Sequence, residues 1–208
     1  MENVDHFYYI NLEKRKDLRD SIEKVLADLG VSHEKITRID AVDKENGAYG
    51  CALSHIIALE DAKKNNYNTV VIFEDDFQLF NPTDAKEKIA KFFKEVDDWD
   101  VITFTCILIA KEDCEIQNVS KILDCQGTLA YAVNSRFIDK LLNNFKESAK
   151  FLSEINYEDD CQFLIDVNWK KLQKENKWYT FYPILGREYP KYSDVQHKYI
   201  DHFANFLS

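Results

Sequence analysis

Three consecutive acidic residues, Glu74, Asp75 and Asp76, have the clearest capacity for chemistry in the sequence. They follow an apolar run at residues 69–73, whose β-branched residues predict a strand that is buried on both faces. Because adjacent carboxylates repel one another, they need either a cation between them or full solvation by water. Ligands bind at the carboxyl ends of strands in an open α/β sheet, so the acids predict a metal site there. The alternative is an ordinary polar loop after a core strand.

The sequence lacks the motifs of several common enzyme classes. It has no GxGxxG or Walker phosphate loop and no Gly-x-Ser-x-Gly nucleophile motif. It has no Cys-x-x-Cys or His-x-x-x-His pair either, which argues against a zinc site. Carboxylates are therefore the remaining candidates for catalysis and metal binding.

The composition is that of a folded, acidic chain. Its 208 residues, of which 45% are apolar, suffice for one domain with a substantial core. The formal net charge of −10 disfavours nucleic acid as a partner, because phosphate backbones are bound through Lys and Arg. A small phosphorylated ligand that is held through a metal ion remains compatible with this charge.

Several features bear on the cellular compartment. The apolar run at residues 102–110 is too short to span a bilayer, and residues 1–5 lack the apolar core of a signal peptide. Five cysteines without paired spacing favour free thiols and a reducing compartment. We therefore expect a cytoplasmic protein without a transmembrane segment.

Alternating strand and helix patterns must position the acids. Helix-type spacing of apolar residues, with turn and capping residues between the segments, predicts five helices, at residues 18–29, 53–66, 82–96, 135–145 and 158–173. Strands are predicted at residues 6–12, 36–41, 69–73, 100–105, 127–133 and 178–185. A loop is expected at residues 47–51, a hairpin or irregular excursion at 106–126, and a short tail helix at 199–207. The alternation predicts right-handed crossovers and a mostly parallel α/β sheet.

Five short segments form a pattern whose order and spacing are specific as a set. They are residues 8–12 with Arg15 and Arg19, residues 38–43, residues 50–55, residues 72–76 and residues 130–131, with a weaker match at 192–195. Together they resemble glycosyltransferase family 25, from residue 7 to about residue 140. This family includes bacterial lipooligosaccharide transferases, collagen glycosyltransferases and relatives in large DNA viruses.

The resemblance implies a fold and a function. The implied fold is the A-type glycosyltransferase fold, a Rossmann-like and mostly parallel sheet flanked by helices. One domain over residues 1–208 is expected, with a nucleotide-sugar-binding half at 1–105 and an acceptor-binding half at 106–208. The implied reaction moves a hexose or N-acetylhexosamine from a UDP-sugar to a saccharide or hydroxylated protein, with inversion and with Mn²⁺ or Mg²⁺ as cofactor. The alternatives are a catalytically inactive relative that binds nucleotide sugar or a partner protein, and a metal-dependent nucleotidyltransferase, which the first strand and residues 50–55 disfavour.

The resemblance also assigns roles to particular residues. Asp76 is the expected metal ligand, and Asp194 or His197 is expected to complete the metal shell. Glu74 and Asp75 are expected to reach the ribose, the sugar or metal-bound water, although a solvated loop position is the alternative for Glu74. The remaining nucleotide-sugar contacts are expected from Tyr9, Asn11, Leu12, Arg15, Asp40, Ala41 and Ser54.

Four site assignments have structural alternatives. Arg15 can instead lie on the exposed face of the first helix, and Asp40 can be a turn-forming acid. His55 is either a ligand or a buried, hydrogen-bonded core histidine, and we favour the core interpretation. For the catalytic base, the resemblance points to Asp160 and then to Asp159, yet acids at a helix start also stabilise the helix dipole without any catalytic role.

Overall fold

The structure, a computed structural model, describes residues 1–155, 161–193 and 198–200. In this part of the chain the strands are β1 (His6–Asn11), β2 (Ile36–Asp40), β3 (Thr69–Glu74), β4 (Phe77–Leu79), β5 (Val101–Asp113), β6 (Val119–Asn134), β7 (Trp178–Phe181), β8 (Gly186–Glu188), β9 (Lys191–Ser193) and β10 (Lys198–Ile200). The helices are α1 (Lys16–Asp28), α2 (Gly47–Lys64), α3 (Pro82–Glu95), α4 (Ser135–Leu152), α5 (Ile165–Asn168) and α6 (Lys170–Gln173), with 3₁₀ turns at His33–Lys35 and Cys161–Phe163.

A six-stranded sheet in the order β2-β1-β3-β6-β5-β7 forms the centre of the fold. The β2–β1, β1–β3 and β5–β7 pairs are parallel, and β6 runs antiparallel to both β3 and β5. Two short antiparallel pairs, β4–β8 and β9–β10, lie outside this sheet. The predicted mostly parallel α/β sheet with flanking helices is therefore confirmed, with β6 as its antiparallel member.

Both faces of the central strands are buried, as their continuous apolar character predicts. Side chains alternate between the faces, so that Tyr8 and Ile72 belong to one hydrophobic cluster while Phe7 and Phe73 belong to the other. Buried residues of α2 and α4 contribute to the first cluster, and buried residues of α1 and α3 contribute to the second. This double burial fixes the register of β1 and β3, and with it the place where the acids emerge.

The start of α2 differs from the prediction. We expected a loop at residues 47–51, but the helix begins at Gly47 because the Asn46 side chain caps it by accepting from the Tyr49 N–H at 3.1 Å. Gly50 lies so close to the preceding loop that a Cβ there would meet the Val42 carbonyl oxygen at 2.2 Å. The glycine thus serves close packing inside a helix rather than a turn.

The second half of the chain differs more from the prediction. Residues 106–126 form the long β5–β6 hairpin, which was one of the two expected outcomes. The helix predicted at 158–173 is wrong for the described residues, which form a 3₁₀ turn and two four-residue helices. Contacts with β6 override helical propensity there, because the Gln173 side chain bonds the Cys125 backbone and Asp166 bonds the Gly127 backbone.

Two further boundaries need correction. The strand predicted at 178–185 ends at Phe181, and the following Pro183 has no N–H with which to continue a ladder. The tail helix predicted at 199–207 is wrong at its start, since Tyr199 and Ile200 belong to β10, and its remainder lies outside the described residues. Among the residues that the structure describes, none of the helices combines the length and the apolar character that crossing a membrane requires.

Candidate active site

A cavity of about 400 Å³ lies at the sheet edge where the parallel strands β1, β2 and β3 end. This is the edge at which open α/β sheets bind ligands, and the volume lies within the range of small-molecule sites. The lining residues come from the ends of these strands, from the start of α2, from the middle of β5 and β6, and from α5. Among the predicted site residues, those that line it are Leu12, Arg15, Ala41, Ser54, Glu74, Asp75 and Asp76.

The Asp75 carboxylate is held by Asn11. The Asn11 amide nitrogen donates to Asp75 Oδ2 at 2.7 Å, and it also donates to the Arg15 carbonyl at 2.9 Å. The Asn11 amide oxygen accepts from the Nε atoms of Arg19 and Arg38, at 3.3 and 3.2 Å. Since Asn11 is only 1% exposed and all these bonds lie within the protein, its side chain orients Asp75 and couples it to two arginines.

Asp76 is fixed through its backbone. Its carbonyl oxygen accepts from the Tyr189 N–H at 2.7 Å, which joins the acidic turn to the segment after β8. The residue is 1% exposed and yet lines the cavity. A carboxylate that borders the cavity is a suitable ligand for a hard cation, because oxygen donors are what Mn²⁺ and Mg²⁺ prefer.

Ser54 joins α2 to the loop after β2. Its hydroxyl donates to the Gly50 carbonyl at 2.8 Å and accepts from the Val42 N–H at 2.9 Å. These bonds, together with the close approach at Gly50, hold the loop that contributes Ala41 to the cavity wall. Within the protein, Ser54 therefore positions the cavity wall, and its predicted contact with the donor stays a prediction.

His55 and Glu74 lie beside each other in one wall of the cavity. His55 is fully buried, as the core interpretation predicted, and its Nδ1 lies 3.0 Å from the Tyr131 hydroxyl. Its Nε2 lies 3.5 Å from Glu74 Oε1, and the same carboxylate oxygen accepts from the Thr128 hydroxyl at 2.7 Å. Glu74 is thus a partly buried, bonded cavity residue rather than the solvated loop residue of the alternative interpretation.

Asp166 is a cavity residue that the sequence analysis did not identify. Its Oδ2 accepts from the Gly127 N–H at 3.1 Å, and Gly127 has a φ of +105°, which side-chain-bearing residues rarely adopt. Burial raises the pKa of Asp166 to about 6, and the negative charge of Glu74 adds to the rise. The sequence signal for this residue is an acid in an apolar stretch, between Ile165 and Val167.

Three predicted donor contacts, Asn11, Tyr9 and Asp40, are not among the residues that line this cavity. Asn11 lies behind the wall, where it holds Asp75; the other two point elsewhere. The Tyr9 side chain packs on the opposite face of the sheet, where its hydroxyl donates to Glu23 at 2.6 Å. Asp40 is exposed and forms an ion pair with Arg38 at 2.5 Å. Neither residue is among the lining residues, so each would contact a donor only outside the cavity proper.

The remaining predicted residues lie outside the described part of the chain. These are the two candidate bases, Asp159 and Asp160, and the two candidate metal ligands, Asp194 and His197. Described residues on either side, Ile155 and Phe163, bracket the candidate bases. The Ile155 carbonyl accepts from the side chain of Asn46, the residue that caps α2, at 3.3 Å. Ile155, the last described residue before them, therefore lies close to the start of α2.

The sheet and its flanking helices define the fold class as the A-type glycosyltransferase fold. A mannose-1-phosphate geranyltransferase from Thermus thermophilus shares this fold with a TM-score of 0.50 at 10% identity, over 85% of this chain and 72% of that chain. A glycosyltransferase involved in the glycosylation of the major capsid of PBCV-1 aligns with a TM-score of 0.49 at 8% identity, over 85% of this chain and 92% of that chain.

The family is shown by sequence. The pattern that describes glycosyltransferase family 25 (LPS biosynthesis protein) matches residues 45–162, which is more than half of the chain. The chain therefore belongs to glycosyltransferase family 25, and its enzymatic class is that of a glycosyltransferase. The match includes the start of α2, the acids and the candidate bases, but begins after β1 and β2. No curated protein matches the chain by sequence.

Proposed function

We propose that this chain moves a hexose or an N-acetylhexosamine from a UDP-sugar to a saccharide or a hydroxylated protein, with a divalent metal ion and with inversion. One observation carries the proposal: in a chain of family 25, the acids after β3 line the same cavity as the ends of β1 and β2. Inversion implies a single displacement, in which the acceptor hydroxyl attacks the anomeric carbon while the diphosphate leaves from the opposite side.

The acidic turn supplies the donor set for a hard cation. Asp76 would hold Mn²⁺ or Mg²⁺, together with Asp194, which lies outside the described residues. When it is bound, the ion neutralises the charge that develops on the departing diphosphate. Asn11 keeps the neighbouring Asp75 carboxylate in a fixed orientation beside it.

Other residues of the cavity suit the nucleotide. Leu12 and Ala41 supply apolar surface for the nucleoside, and Arg15 supplies a guanidinium at the edge. The first residues of α2, Gly47 and Ala48, also border the cavity. The N-terminus of a long helix carries partial positive charge, which favours a phosphate there.

A carboxylate must accept the proton of the acceptor hydroxyl. Asp160 remains the first candidate and Asp159 the second, on the basis of the family resemblance. Asp166 is a third candidate, because it lines the cavity and because burial raises its pKa to about 6, closer to neutral pH than an ordinary aspartate. Substitution of each candidate distinguishes the three, because replacing the true base removes the limb of the pH–rate profile that its titration produces.

The direct test is metal-dependent turnover. The purified chain is incubated with UDP-glucose, UDP-galactose and UDP-N-acetylglucosamine, each with a panel of saccharide acceptors and with Mn²⁺ or a chelator, and UDP release is measured. The proposal expects one donor to yield UDP only with metal and to yield it faster with an acceptor. Asp76→Asn should abolish this release, whereas the matched control Asp20→Asn, an exposed acid of α1, should not.

Two outcomes would overturn the proposal. If the chain binds UDP-sugars and releases no UDP under any condition, it is a non-catalytic relative. If instead it releases pyrophosphate from a nucleoside triphosphate and a sugar phosphate, it is a nucleotidyltransferase.

A further inference from the structure

Three side chains of different ligand type converge on one wall of the cavity. Cys51 and His55 lie one turn apart on α2 and therefore on the same helix face, and Glu74 ends β3 opposite them. One ligand atom from each residue, a sulfur, a nitrogen and a carboxylate oxygen, lies within 4.8 Å of the other two. All three residues line the cavity.

His55 supplies the observation that points to a ligand. The residue is fully buried, and its Nε2 has no hydrogen-bond partner within the part of the chain that the structure describes. The Glu74 oxygen at 3.5 Å lies beyond the usual length of such a bond. Because a buried polar atom without a partner costs roughly 1–3 kcal/mol, an orphaned imidazole nitrogen facing a thiol and a carboxylate indicates a missing partner.

The distances suit a tetrahedral ion of the zinc type. With bonds of about 2.0–2.1 Å to nitrogen and oxygen, two ligand atoms of a tetrahedron lie roughly 3.4 Å apart. The nitrogen and the oxygen of His55 and Glu74 are 3.5 Å apart. For a sulfur at about 2.3 Å from the ion, the corresponding separation is roughly 3.6 Å. The Cys51 sulfur lies within 4.8 Å of the other two ligand atoms. Only a small movement of the Cys51 side chain would therefore bring it to this separation.

The partners of the ligands also resemble those of metal sites. The Tyr131 hydroxyl lies 3.0 Å from His55 Nδ1, which leaves Nε2 as the ligating atom. The Thr128 hydroxyl donates to Glu74 at 2.7 Å. Hydrogen bonds of this kind, from groups that do not themselves bind the ion, orient metal ligands and fix the histidine tautomer.

We propose that Cys51, His55 and Glu74 form a second metal site, specific for a borderline-soft divalent cation such as Zn²⁺. The site differs in chemistry from the all-oxygen set at Asp76, since a thiolate and an imidazole favour Zn²⁺ over Mg²⁺ or Mn²⁺. All three residues line the cavity, and the ion would join α2 to the end of β3. This inference does not depend on the proposed transfer reaction.

Cobalt is the probe that tests the ligand set. The chelator-treated full chain is titrated with Co²⁺, and the absorption spectrum is recorded. The proposal expects intense visible bands of tetrahedral Co²⁺ and a near-ultraviolet sulfur-to-cobalt charge-transfer band, both abolished by Zn²⁺. Cys51→Ser should remove the charge-transfer band, and Asp76→Asn should retain it. The matched control is Cys114→Ser, at a partly buried cysteine outside the cavity lining, which should also retain the band.

A charge-transfer band that survives in Cys51→Ser, or Co²⁺ bound without any such band, would overturn the proposal. If Cys51→Ser does not fold, X-ray absorption at the zinc edge of the wild-type chain decides. One sulfur at about 2.3 Å with nitrogen or oxygen ligands at about 2.0–2.1 Å supports the site, and a shell of oxygen alone refutes it.

Discussion

Replacing Asp166 by Asn should stabilise the chain at neutral pH, and the gain should vanish in acid. In the folded chain, burial and the charge of Glu74 raise the pKa of Asp166 from 3.8 to about 6. The folded state then binds the Asp166 proton more tightly than the unfolded chain does. The contribution of this proton to the stability of the folded state is therefore complete below about pH 4, and it is lost as the pH rises through about 6.

The magnitude follows from the size of the pKa shift. A rise from 3.8 to about 6 corresponds to about 3 kcal/mol at 1.36 kcal/mol per unit. Asn is isosteric with Asp, and its side-chain oxygen can still accept from the Gly127 N–H. The difference in free energy of unfolding between Asp166→Asn and wild type should thus grow by about 3 kcal/mol as the pH rises from 4 to 7.5. For a chain of this length, this corresponds to ~6–12 °C in Tm.

The assay is urea denaturation of both proteins at four pH values between 4 and 7.5, in buffer that contains a chelator. Asp20→Asn serves as the control, because Asp20 is exposed on α1 and should show little pH-dependent difference. A difference between Asp166→Asn and wild type that is independent of pH would refute the reasoning. Glu74→Gln adds a second check. In this variant the stability should decline at a lower pH than in wild type, because one cause of the raised pKa of Asp166 is removed.

Three other substitutions test the positioning of the cavity. Asn11→Ala should cost about 2–4 kcal/mol in urea denaturation and weaken UDP binding, since Asp75 loses a buried hydrogen bond; a neutral effect would contradict the role assigned to Asn11. Gly50→Ala places a Cβ against the Val42 carbonyl and should cost about 1–3 kcal/mol; an unchanged midpoint would show that the loop yields freely. Asp160→Asn should lower turnover at least tenfold with little change in donor affinity by calorimetry, and normal turnover would exclude it as the base.

The central part of the fold is predictable from sequence because its strands are long and apolar. The run at residues 69–73 predicts β3, and the position of the acids after it is confirmed. The predictions at 47–51 and 158–173 are wrong for a shared reason: tertiary contacts decide the backbone there. Neither the cap at Asn46 nor the bond from Gly127 to Asp166 is visible in local periodicity.

The candidate site is predictable only in part. Family resemblance identifies residues at the ends of β1, β2 and β3, and most of them line the cavity. It does not indicate that Tyr9 faces the opposite side of the sheet or that Asp40 is exposed. The cluster at Cys51 and His55 was available as an i, i+4 pair on one helix, yet its third member, Glu74, comes from a separate strand.

We propose that Asp76 holds a metal ion through which a UDP-sugar donor binds. The most direct measurement is thermal unfolding of wild type and Asp76→Asn with UDP, GDP, CDP and ADP, each with and without Mn²⁺. A ligand at 100 times its dissociation constant adds about 2.7 kcal/mol, which should raise Tm by ~5–10 °C. We expect this rise for wild type with UDP and Mn²⁺ together, and we expect it to be lost in Asp76→Asn. An equal rise in Asp76→Asn, or no rise with any nucleotide and metal, would contradict the proposal.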